Sequence, residues 1–158
     1  MKRQLYPLIA LVLLIFSCKD VEEPSPNSQI EGRYVSTVEI EIAAGVKLDL
    51  VNTLDFKSDG TFSSENYTTE ADDDDILGYR SYYNGTYTIA EGKVTLKWQD
   101  YYAMNYFDIY YMPKADLTLA DGNEYYSDYA IEENYTQLSF MCPPNAFCTS
   151  QEVYVKAN

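Results

Sequence analysis

The sequence predicts an all-β fold, an antiparallel up-and-down meander of about eight to ten strands, from three observations. From Glu31 onward, apolar and polar residues alternate with a period of two. Gly-containing pairs, Asp59-Gly60, Glu91-Gly92 and Asp121-Gly122, punctuate the alternating runs as tight turns do. No later segment carries an apolar stripe of helical period.

The chain begins with a different kind of segment. Lys2 and Arg3 precede the nine-residue apolar run Leu8 to Phe16. A helix needs roughly 20 residues to span a bilayer, so this run is too short to cross but suits a secretory signal. From the residues alone, an ordinary secreted protein and a short buried helix remain open. The run ends in Ile15-Phe16-Ser17-Cys18, which resembles the lipobox of bacterial lipoproteins. That resemblance implies a signal peptide over residues 1–17 and lipidation of Cys18. Lys19-Asp20-Val21-Glu22-Glu23 is similar to the acidic export signal of Bacteroidota surface lipoproteins. It implies an outer-membrane anchor, facing the cell surface or the periplasm. Pro24-Ser25-Pro26-Asn27-Ser28 reads as a stiff, extended tether, so residues 18–30 form the lipidated terminus and 31–158 the domain.

The strands follow in order. Tyr34, Ser36, Val38, Ile40 and Ile42 share one face, opposite Arg33, Thr37, Glu39 and Glu41. Leu48, Leu50, Leu54 and Phe56 repeat the pattern, and Val94, Leu96 and Trp98 do so again opposite Lys93, Thr95 and Lys97. One face buried and one face wet is the signature of antiparallel sheets. On a strand from Tyr79 to Ile89, Tyr79, Tyr83 and Tyr87 share one face with Ile89, and if that face is inward their hydroxyls project into the barrel together. Tyr106 and Tyr110 share the opposite face from Phe107 and Ile109, which predicts that some tyrosines lie outside. Full closure into a barrel would remove exposed edges, and a two-layer sandwich is the alternative. Trp98 is expected to lie buried near Tyr87 and the Leu54–Phe56 strand.

This succession carries a resemblance. Gly32-Arg33-Tyr34, the hairpin Leu54 to Phe62, Gly85-Thr86-Tyr87-Thr88-Ile89, Leu138-Ser139-Phe140 and Val153-Tyr154-Val155-Lys156 resemble the lipocalin-like domain of small Bacteroidota lipoproteins. The resemblance implies an antiparallel (calycin) barrel, in some members with a ligand cavity. Tyr34 stands where lipocalins carry Trp, and their later Thr-Asp-Tyr motif is missing.

Composition narrows the function. The chain has no histidine, which removes Ser-His-Asp and Cys-His catalysis. No Gly-rich phosphate loop is present, so neither an enzyme nor a cofactor is expected. Without Lys2 and Arg3, 9 basic residues face 25 acidic ones, a net charge of −16 that repels nucleic acid and anionic headgroups. Membrane association must then come through the lipid alone. With Cys18 lipidated, Cys142 and Cys148 remain as an even pair, and an oxidising compartment favours a local disulfide between them. The Asp72–Asp75 run could offer carboxylates to calcium, but it lacks EF-hand spacing and reads first as a solvated loop.

Tyrosine is in excess, with 17 residues. Two functional readings follow. In the first, the barrel holds a small apolar or amphipathic ligand, with Tyr79, Tyr83, Tyr87 and Trp98 as wall candidates. Small or polar inward positions at Ser36, Asn52, Ser64 and Asn66 are compatible with a cavity there. In the second, exposed tyrosines and the Cys142–Cys148 loop engage a protein or glycan partner as an interaction or inhibitor protein.

Overall fold

A computed structural model describes residues 24–106, 108–120, 124–148 and 152–157. The predicted signal segment and Cys18 lie outside the described residues, as does the Asp121-Gly122 turn. Alternation is realised in four long strands, β1 (Gly32–Ala43), β2 (Val46–Phe56), β3 (Thr61–Glu70) and β4 (Ile76–Ala90), followed by β5 (Lys93–Ala103). Shorter strands complete the chain: β6 (Thr118–Leu119), β7 (Tyr126–Glu132), β8 (Gln137–Met141) and β9 (Val153–Lys156). Each strand except β6 pairs antiparallel with the next in this succession, β5 passing directly to β7, and β9 returns to β1. Eight strands therefore close a barrel, as the meander predicts, and the sandwich alternative is excluded. Strand β6 only extends the rim of β5, with Leu119 opposite Tyr102.

One end of the barrel is filled. Tyr34, Leu54, Phe56, Phe62, Tyr87 and Leu96 are buried there, and Tyr34 and Tyr87 each meet the Phe56 ring edge-on, at 5.6 and 5.1 Å. Their hydroxyls reach the rim, where Tyr34 donates to the Tyr135 carbonyl and Tyr87 to the Lys57 carbonyl, both at 2.6 Å. A buried tyrosine must find such a partner, because an unpaired hydroxyl in an apolar core is costly.

The tether reading is corrected at this end. Pro26–Ile30 is not extended but forms a one-turn helix, α1. Pro26 occupies the first turn, where its missing N–H is harmless, and the Ser25 side chain accepts from the Ser28 N–H. The turn exists because Ile30 is fully buried beneath the barrel, and Lys156 Nζ donates to the Gln29 carbonyl at 2.8 Å.

Irregularities in β4 and β5 decide which side chains face inward. In β4, Arg80 is an extra residue between the pairs Asn66↔Ser81 and Tyr67↔Tyr79. A bulge of one residue shifts the alternation by one, so Tyr79 joins the outer face instead of the face of Tyr83. In β5, two residues between Trp98 and Tyr101 oppose a single residue of β4, and both rings turn inward.

Tyr106 and Tyr110 lie outside, as their spacing predicts, but on an irregular segment and not on a strand. Strand β5 ends at Ala103, and the chain then crosses the open end irregularly, with Tyr106, Ile109 and Tyr110 all exposed; Phe107 lies outside the described residues. This excursion is sewn to β4 by two hydrogen bonds between Tyr79 and Met112, at 2.8 and 3.1 Å, and to β3 by Thr68 Oγ1 on the Tyr110 carbonyl. Gly78 permits the approach, since a Cβ there would lie 2.8 Å from the Met112 oxygen.

Candidate functional site

Above the packed end, the barrel interior becomes a chamber of about 660 Å³. Its aromatic side is built by β4, β5, β7, β8 and β9. Tyr83 stacks on Trp98 with ring centres 4.1 Å apart and planes 17° from parallel. The Trp98 indole N–H donates to Ser127 Oγ at 3.1 Å, and Tyr101 leans on the same indole at 5.3 Å. Tyr129 meets Phe140 and Tyr154 edge-on, each at 5.7 Å.

The other side is polar. The Asn52 amide donates to the Glu152 carboxylate, joining β2 to the residue before β9. Arg80, turned inward by its bulge, donates to Asn52 Oδ1 at 2.5 Å and to the Val51 carbonyl at 3.1 Å. Asn66 donates to Ser81 Oγ at 2.8 Å beside it. Burial pulls the Arg80 guanidinium below its ordinary pKa, with Glu152 pushing in the opposite direction. The cation is thus compensated by oxygens fixed on β2 and β3, the Tyr67 carbonyl supplying the latter, and a largely desolvated charge tolerates loss of its partners badly.

The chamber's phenols stay neutral. Burial, first, and neighbouring phenols hold the Tyr83 and Tyr154 hydroxyls far above the ordinary phenol range. Burial pushes Tyr129 up to about 12, and Tyr101 is raised by the same cause. These hydroxyls can orient a ligand by donating or accepting hydrogen bonds at neutral pH.

Among the described residues, β9 pairs with β1 at Tyr34 and Val35 alone, so no described strand pairs with that edge of β1 beyond them, and Val38 stands half exposed there. The Cys142–Cys148 disulfide forms as predicted, with Cα atoms 6.0 Å apart, in the loop that follows β8. Phe147 in this loop is 93% exposed.

Of the four predicted wall residues, the structure brings two together, Tyr83 and Trp98. Tyr87 lies in the packed end below them. Tyr79 is outside, edge-on to Tyr67 and under Lys114, whose ammonium also pairs with Glu65. Trp98 accordingly stacks on Tyr83 and not on Tyr87 or β2, and it is half-buried. Sequence reading missed Arg80 and Glu152. A lone arginine among tyrosines carries no inward signal unless the bulge is known, and Glu152 precedes its strand, where alternation gives no direction. The Asp72–Asp75 run is exposed on the turn after β3.

No protein-family profile matches the chain, and no curated protein matches it in sequence.

Proposed function

We propose that this protein is a lipid-anchored envelope module, a lipocalin-like lipoprotein of the Bacteroidota type, that holds one small amphipathic ligand in the chamber. The observation that carries the reading is the two-sided lining, with stacked rings facing an Asn52–Glu152–Arg80 network across about 660 Å³. That volume falls within the ~300–1,000 Å³ of small-molecule sites, which are mostly apolar with a few placed polar groups. A flat apolar face would lie on the Trp98 side while a polar edge meets Asn52, Asn66 or Glu152. A wholly aliphatic ligand would leave those polar groups desolvated and unpaired, which costs affinity. The address rests on the apolar run before Ser17-Cys18 and the acidic stretch after it.

Trp98 is the sole tryptophan, so its emission reports the chamber directly. Titration with naphthol should shift it saturably, and Tyr83→Ala should abolish the response. A linear response, unchanged by Tyr83→Ala, would discard the reading. For the anchor, Cys18→Ser should move the protein from the detergent phase to the aqueous phase, and unchanged partitioning would refute it.

A second reading, engagement of a protein or glycan partner, is favoured by Phe147 on its disulfide-closed loop. Phe147→Ser would weaken such a partner while leaving the naphthol titration intact.

A further inference from the structure

We infer that a second site, a groove at the open end of the barrel, receives a cationic amphipathic peptide segment. The groove encloses about 780 Å³ between the β1–β2 hairpin and residues 108–111, and none of its lining residues lines the chamber. This inference therefore stands apart from the ligand reading above.

The groove is apolar where a fold would normally be wet. Leu48 forms its buried floor. Around it, Ile42, Val46, Leu77, Ile109 and Tyr110 remain substantially exposed, Val46 to 48%. Scattered apolar residues on a surface need no explanation, but a contiguous patch that lines a concavity marks a contact.

Charge defines what can fill it. Glu70 and Asp108 line the groove, and the turn carrying Asp72 to Asp75 continues from Glu70. The one cation in the lining, Lys47, is held by Glu39 at 2.6 Å. Asp72 and Asp49 add to the negative field at the same ammonium. An occupant must bring apolar side chains for the groove and positive charges for its rim. A peptide with one apolar face and lysines beside it supplies both. A second copy of this chain would set one acidic rim against another, and an anionic lipid surface or nucleic acid would meet the same repulsion. The acidic run singled out in the sequence thereby gains a place, as the edge of an apolar groove.

The test uses the full chain in zwitterionic lipid nanodiscs, with empty discs subtracted. The probe is a dye-labelled Leu/Lys amphipathic peptide, compared with a Leu/Glu peptide of the same spacing and a Lys/Ser peptide without an apolar face. Fluorescence anisotropy should show saturable binding of the Leu/Lys peptide alone, weakened by added salt. Val46→Lys with Ile109→Lys should weaken it about tenfold, while Val155→Lys on the outer face of β9 should not. If the paired lysines disturb folding, Glu70→Gln with Asp108→Asn isolates the charge contribution and should also weaken binding. Equal binding of the Lys/Ser peptide, equal binding to all variants, or no saturable binding would overturn the inference. So would sedimentation showing a dimer that Val46→Lys dissolves, which would assign the groove to a second copy.

Discussion

Adding one methyl group at Gly85 would place a Cβ well inside van der Waals contact with the Lys97 carbonyl oxygen and 2.9 Å from the Phe62 ring. The backbone at Gly85 is ordinary extended strand, so glycine is required there for space. Lys97 cannot retreat freely, because it pairs with Thr86 in β4 on one side and Tyr126 in β7 on the other. Overpacking costs about 1–3 kcal/mol, and each net ladder hydrogen bond lost adds about 1 kcal/mol. Gly85→Ala should therefore destabilise the barrel by about 3 kcal/mol. Gly92→Ala is the comparison, since Gly92 has φ of +73° and open space around its missing Cβ. Only left-handed strain applies there, about 1–2 kcal/mol. Urea unfolding of both variants, followed by Trp98 emission, measures the difference. A Gly85→Ala cost at or below that of Gly92→Ala would refute the steric reasoning.

Three further outcomes are expected. Burial raises the pKa of Tyr34, Tyr83, Tyr129 and Tyr154, so the fold keeps protons that the unfolded chain releases near pH 10. Stability should be full below about pH 10 and fall above it, by up to about 1.4 kcal/mol per pH unit for each such tyrosine. Phenolate absorbance rising fully before circular dichroism changes would contradict this. Trp98→Ala should cost about 2 kcal/mol in thermal or urea unfolding, below the ~3–5 kcal/mol of a tightly packed core aromatic, because the indole is half-buried at a chamber wall. A loss at the upper end of that range would mean the chamber is filled. Replacing both Cys142 and Cys148 by serine should remove about 2 kcal/mol at most, the loop-closure share of so short a ring, and leave β1 to β5 protected from hydrogen exchange. Loss of protection throughout the barrel would show that the disulfide does more than shape its loop.

Strands β1, β2 and the first half of β5 were legible because their alternation runs unbroken, so Tyr34, Leu54, Phe56, Val94, Leu96 and Trp98 turn inward as their spacing requires. The candidate site was legible only in part. Tyr83 could be placed by alternation, but Tyr79 could not, since a single inserted residue reverses every face beyond it and leaves no mark in composition. The same insertion hides Arg80, whose long side chain would ordinarily be assigned to water. Tyr129 and Tyr154 lie on short strands, where a few residues fit either phase equally well. The α1 turn was obscured for another reason. Two prolines suggest an extended segment, and only the demand to bury Ile30 decides otherwise.

The seam between β9 and β1 has a kinetic consequence. Among the described residues, the pairs Tyr34↔Lys156 and Val35↔Val155 alone join these strands, whereas β1 and β2 are matched from Gly32↔Phe56 to Ala43↔Val46. Local opening follows the line of fewest cross-strand bonds, and here that line borders the low side of the chamber. Exchange of a bound molecule would then be timed by transient parting of the last strand, not by diffusion alone. Two proteins with identical chambers but seams of different length would share an affinity and differ in residence time.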